Sequence, residues 1–150
     1  MKQLLILSIL IWSYTSLRAQ SYRAPLTPVQ QLEKEYCSPL FSSVDGTTIS
    51  LMDDDNANTV MGHQNILNWL QGRVAGVQVY QGRFGSVAFI RNAPATVFLN
   101  EVRTDASILG FIPVMDIALI KIIRNPFVLG APGGAIAVYT KKGLDEEEEE

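Results

Sequence analysis

The sequence predicts a small α+β domain, a mixed β-sheet covered by two or three short helices. Two observations carry this. Ile66, Leu67, Leu70 and Val74 recur at helical spacing, while Val77 and Val79 alternate with Gln78 and Tyr80 and mark a strand directly after them. Further strand-like runs, VAFIR (87–91), TVFLN (96–100), LIKIIR (119–124) and AIAVYTK (135–141), are separated by turn residues and by two short helical candidates. Helices interspersed with strands favour helices packed on a mixed sheet.

The 150 residues divide by composition. Residues 1–19 have the layout of a secretory signal peptide: Lys2, an apolar run over 4–12, a polar stretch, and the small Ala19 before Gln20. The apolar run is shorter than the roughly 20 residues that span a bilayer. An exported, periplasmic protein is therefore expected. Residues 20–61 read as an extended or irregular leader region, with a short helix over 29–36, a turn-rich stretch over 37–58 and a strand near 48–52. Residues 62–143 hold the patterned domain, and residues 144–150 an acidic, solvated tail.

Within the patterned part, Asn65 or a residue just upstream caps the first helix, and Gly72 and Gly76 bracket its end. Gly82 and Gly85 mark a turn, and residues 92–94 another. Residues 105–109 open a second helical piece. Pro113 suits the first turn of a third, with Asp116 placed to accept from free backbone N–H groups. Residues 130–134 (GAPGG) make a tight connection into the closing strand. The apolar stretch 108–123 contains Pro113, Asp116 and Lys121, and each central charge costs about 2.5–3.5 kcal/mol in a membrane, so it belongs in a protein core.

The formal net charge of −3 comes from the run Asp145 to Glu150; residues 20–144 hold ten Lys+Arg and nine Asp+Glu. A near-neutral body gives no electrostatic basis for nucleic-acid binding. Cys37 is the single cysteine, so folding rests on packing, not on an internal disulfide. His63 is the single histidine and has no second His or Cys at ligand spacing, so no metal site is expected. A calcium loop starting at Asp54 matches at Asn56 and Asn58 but has Thr59 where Gly is needed and Asn65 where Glu is needed; a solvated loop is the expectation. There is no G-x-S-x-G, and the glycine-rich stretch 130–134 precedes a strand where a phosphate loop would precede a helix. No catalytic group, cofactor or enzyme activity is expected. A hydrolase built on two converging carboxylates is the weakest of the alternatives.

Three stretches in order, NILNWLQGRVAGVQV (65–79), FIRNAPATVFLNE (89–101) and IPVMDIALIKIIRNPFVLGAPGGAIAVYTKKG (112–143), resemble the plug domain of TonB-dependent outer-membrane receptors, particularly the glycan-importer type. Such plugs carry a helix ending in L-x-G-R-x-x-G, a strand ending in Arg, a strand ending in D/N-G/E, a turn with Asp before an I-x-V strand, and a closing T-K-K-G. The matching positions are Gly72, Arg73, Gly76, Arg91, Asn100, Glu101, Asp116, Lys141 and Lys142. The resemblance implies that Gly72 and Gly76 free the backbone between helix and strand. It implies that Asp116 caps the short helix before residues 119–124, and that Lys141 and Lys142 end the last strand. Asn100–Glu101 stands where many receptors have Asp-Gly, Asn92 stands where Gly is common, and no TonB box is found over 20–59. The sequence looks closer to the plug-like domains that end some large exported proteins, and a free-standing module without a barrel is the expectation. The implied function is a periplasmic, non-enzymatic module working through contacts with an outer-membrane β-barrel or other envelope protein. The alternative is an envelope ligand-binding or structural protein that reuses the fold.

Overall fold

The computed structural model describes residues 25–83, 85–124 and 130–142. The signal segment and the acidic tail read from the sequence lie outside the described residues. The elements are α1 (Pro28–Tyr36), α2 (Pro39–Ser42), β1 (Gly46–Ser50), α3 (Asp54–Val60), α4 (Ile66–Arg73), β2 (Val77–Gly82), β3 (Gly85–Ile90), β4 (Ala93–Pro94), β5 (Thr96–Leu99), β6 (Val102–Thr104), β7 (Ile117–Ile123) and β8 (Ala135–Thr140). Two 3-10 turns, Ala106–Gly110 and Val114–Asp116, precede β7. The expected α+β class and mixed sheet are observed.

A five-stranded sheet runs β1-β7-β8-β5-β6, antiparallel except for the parallel pair β5 and β8, and a three-stranded antiparallel sheet runs β2-β3-β4. Strands β7 and β8 explain the architecture. All seven residues of β7 and five of the six in β8 are buried, as befits central strands covered on both faces. Ile120, Ile122, Ile136 and Val138 face a core built with Leu67, Trp69 and Leu70 of α4 and with Val77, Ala88 and Ile90 of the smaller sheet. Leu119, Ile123, Ala137 and Tyr139 face a second core with Phe98, Phe41 and Cys37. The large sheet is thus the middle of three layers.

The N-terminal layer is more regular than the sequence suggested. Thr27 and Gln30 form a reciprocal capping box on α1, with Pro28 in its first turn. Within the stretch read as a loop over 37–58, α2 brings Phe41 into the second core, and β1 pairs with β7 from Gly46↔Ile123 to Ser50↔Leu119. The strand begins two residues before the expected start, at Gly46, because its register is set by β7. The acidic cluster is helical as well: α3 places Asp54 and Asp55 in its first turn, where carboxylates face the positive end of the helix, and it buries Val60. Its polarity suggested a loop, but one apolar anchor and the bond from Asn56 Nδ2 to Ser50 O (2.9 Å) fix it against β1.

Other differences are local. The turn placed over 92–94 is Arg91–Asn92, and Ala93–Pro94 already pair with β3. The helical piece near 105 is a 3-10 turn capped by Asp105, whose carboxylate accepts from Ser107 N at 2.8 Å. Pro113 stands at the N-cap of its turn, not inside it. Strand β6 was not anticipated, since VRT carries too short a pattern to register.

One side chain ties the N-terminal layer to the sheet. Lys121 lies on central β7 and is only 2% exposed. Its ammonium forms an ion pair with Glu33 of α1 and donates to Phe41 O at 2.7 Å and Ser42 O at 3.4 Å. Breaking a buried pair from one side strands the other charge, at a cost of about 3–5 kcal/mol, whereas replacing both partners by apolar residues is often neutral. Glu33→Ala is therefore expected to destabilise by about 3 kcal/mol in urea unfolding. The double variant Lys121→Met/Glu33→Leu is expected to recover most of that loss. A Glu33→Ala midpoint equal to wild type would contradict the arrangement.

Candidate functional site

The nine motif residues fall into two groups at the ends of the layers. The first surrounds the α4–β2–β3 hairpin. Asn65 caps α4 by accepting from Leu67 N at 2.8 Å. Gly76 has φ +84°, the left-handed conformation that turns the chain from helix into β2, and its carbonyl accepts from Arg91 N at 2.9 Å. Gly72 lies inside the last turn of α4, and nothing stands within 4 Å of a Cβ built on it. Of the two glycines, only Gly76 frees the backbone. Arg73 lays its guanidinium over the Trp69 ring, 5.1 Å from the centroid. The Trp69 indole N–H is buried without a partner among the described residues.

The second group gathers where β5 and β8 end and β7 begins. Leu99 pairs with Val102, so Asn100 and Glu101 form a two-residue hairpin turn, and both have positive φ, +47° and +69°. Two central residues with positive φ are the signature of a type I′ turn, which favours Asn-Gly or Asp-Gly. Arg91 (+51°) and Asn92 (+67°) close the β3–β4 hairpin in the same way. Both turns thus adopt a glycine-favouring geometry with a non-glycine second residue.

At Glu101 the structure supplies a reason. Its Oε1 accepts from Ser38 N at 2.6 Å and from the Tyr139 hydroxyl at 3.2 Å, joining the α1–α2 junction to β8. Asn100 Oδ1 accepts from Thr140 N at 3.0 Å, and its Nδ2 donates to Thr140 Oγ1 at 2.9 Å, sealing the end of β8. Glycine could hold the turn but neither of these partners.

Asp116 is exposed and makes no side-chain cap on the Val114–Asp116 turn, contrary to the role implied by the motif; its carbonyl accepts from Lys141 N at 2.7 Å. The 3-10 turn is too short to present converging free N–H groups to a carboxylate. Lys142 donates to Glu35 O at 2.8 Å and lies over the Tyr36 ring at 5.0 Å, so it fastens the end of β8 to α1. Cys37 and Tyr139 sit in the same corner. Burial pushes the Cys37 thiol up, and burial together with contact to Cys37 and Glu101 pushes the Tyr139 hydroxyl well above the usual phenol range.

Other chemistry considered in the sequence is dispersed. Asp54, Asn56 and Asn58 lie on helix α3, which fans their side chains around its axis, so the calcium-loop alignment and the loop reading both fail there. His63 is exposed beyond the end of α3. Among the described residues no three His, Cys, Asp or Glu side chains gather as a metal site. No helix among them is long and apolar enough to cross a membrane. A concavity of about 850 Å³ lies between β3, β6 and the turn at Pro132–Gly133, and its single carboxylate is Asp105.

No protein-family model matches the sequence, and no curated protein does. Solved structures do share its fold. A chain of the RagAB peptide importer in the open-open state superposes with a TM-score of 0.51 at 18% identity, over 66% of this chain and 12% of that one. In the closed-closed state the values are 0.50, 17%, 70% and 13%. The protein therefore corresponds to a small part of those importer chains, and at such identity the likeness is one of fold.

Two outcomes test this corner. Glu101→Gly relieves about 1 kcal/mol of backbone strain but loses a charged acceptor worth about 1.5–3 kcal/mol, so a net loss of about 1 kcal/mol is expected in urea unfolding. A gain in stability would show that the Ser38 and Tyr139 bonds contribute nothing. Because Cys37 is 8% exposed and its thiol is pushed up, iodoacetamide at pH 8 should label native protein at least about tenfold more slowly than urea-unfolded protein. Equal rates would contradict the buried placement.

Proposed function

We propose that this protein is a plug-like module of the cell envelope, exported to the periplasm, that works without enzymatic activity through protein contacts in outer-membrane transport or envelope assembly. The observation that carries the reading is the fold likeness to chains of the RagAB peptide importer, met by a sequence that independently presents plug motifs in their expected order. The motif residues support contact over catalysis. Arg73 and Arg91 are exposed near the hairpin end, and Asp116, Lys141 and Lys142 are exposed at the other. The two partly buried carboxylates that bond to other layers already have structural tasks, Glu33 holding Lys121 and Glu101 holding Ser38 and Tyr139, and the exposed Asp105 caps its turn.

The test is recovery of tagged protein from cross-linked envelopes of its host, read by mass spectrometry. Specific recovery of an outer-membrane β-barrel or a transport component is expected. Recovery of the tagged protein alone, at cross-linker levels that capture known envelope complexes, would overturn the reading.

A further inference from the structure

A concavity of about 340 Å³ opens where the end of α4 meets the edge of the five-stranded sheet. Strand β1 is that edge, and its Thr47 and Ile49 share one face. Gly46 pairs with Ile123, so Arg124 leaves β7 beside the start of β1, and its Nη1 donates to Thr47 Oγ1 at 2.8 Å. Helix α4 supplies Trp69 and Arg73, four residues and one turn apart, which lets the guanidinium lie over the indole ring. Thr47, Trp69, Arg73 and Arg124 all line the one concavity.

The electrostatics of this place are one-sided. Two guanidiniums line it and no carboxylate does. Among the described residues neither arginine has an ion-pair partner. A guanidinium carries five N–H donors; Arg124 uses one of them on Thr47, and Arg73 uses none in a side-chain hydrogen bond among the described residues. The wall holds a further donor without an acceptor. Trp69 is 2% exposed, and its indole N–H is buried with no partner among the described residues. A buried donor left unpaired beside a concavity calls for an acceptor from outside the chain. Two positive charges and an orphan donor disfavour a cation and favour an anion.

The rest of the lining narrows the class. Ile49 and Val74 make part of the wall apolar. A carboxylate presents two oxygens in a plane, which matches the guanidinium fork, and it can carry an apolar body that lies against such a wall. A phosphate has further oxygens, and the apolar side offers them no donor.

We propose that this concavity binds a small organic carboxylate, its oxygens held by Arg73 and Arg124 and its apolar body against Ile49 and Val74. The site goes beyond the contact role proposed above and does not rest on it.

The experiment titrates the intact, isotopically labelled protein with isovalerate and, separately, with isovaleramide, which has a similar shape and no charge. Trp69 is the single tryptophan of residues 20–150, and its indole N–H signal is the reporter. Isovalerate is expected to move that signal saturably, and isovaleramide to leave it in place. Arg73→Gln and Arg124→Gln each remove a charged donor, so each should weaken binding at least about tenfold. Arg103→Gln, on β6 and outside the lining, should leave the affinity unchanged. Inorganic phosphate should bind at least about tenfold more weakly than isovalerate, since it brings charge without an apolar body. The proposal falls if isovalerate leaves the indole signal in place, or if the amide binds as well as the acid. It falls equally if Arg103→Gln weakens binding as much as the two lining variants, or if phosphate matches isovalerate. The comparison of acid with amide uses the unaltered protein, so it decides even where an arginine variant fails to fold. None of these outcomes touches the envelope cross-linking result, so the two readings can fail separately.

Discussion

The buried ammonium of Lys121 is the constraint around which the rest is arranged. A charge on the central strand of a sheet is tolerated only if its three protons find partners away from water. Glu33 and the carbonyls of Phe41 and Ser42 provide them, and all three come from the N-terminal helices. Strand β7 therefore cannot settle into its sheet at low cost unless α1 and α2 are already in place over it. The same face also needs Phe41 and Cys37 to complete its apolar packing. Glu101 and Lys142 repeat the linkage at the sheet end, reaching Ser38 and Glu35.

Seen from this anchor, the two sides of the large sheet have different tasks. The N-terminal side is held by a few polar clasps over a small core of alanines and aromatics. The opposite side is a larger aliphatic core shared with α4 and the smaller sheet. Backbone strain collects in the two hairpin turns, Arg91–Asn92 and Asn100–Glu101. At the second the strain is repaid by bonds that only those side chains make. At the first, the structure shows the turn but no side-chain bond that requires arginine.

How much of this was legible in the sequence depended on whether local pattern or tertiary partner decided each element. Helix α4 and strands β2, β3, β5, β7 and β8 announced themselves through periodicity and β-branched runs, and the α+β class followed. Residues 37–60 did so only in part: a strand near 48–52 was legible, but β1 takes its register from β7 and starts two residues earlier, and α3 is a polar helix held by Val60 and Asn56. Strand β6 is three residues long and exists as the partner of β5. Lys121 was legible only as a reason to reject a membrane span; nothing in one sequence announces that Glu33, 88 positions away, is its counter-charge. The motif residues were found by resemblance, and the structure divides them between two ends of the molecule, with Asp116 losing its capping role.

The central claim is that the N-terminal helices and the sheet form one cooperative unit joined through Lys121. Native-state hydrogen exchange tests it most directly. The account predicts that the α1 amides open with free energies close to those of β7 and β8, since the helix cannot lift without exposing the ammonium. Exchange in α1 that is orders of magnitude faster than in β7 would contradict it, and would make the N-terminal layer a loosely held cover over an independent sheet.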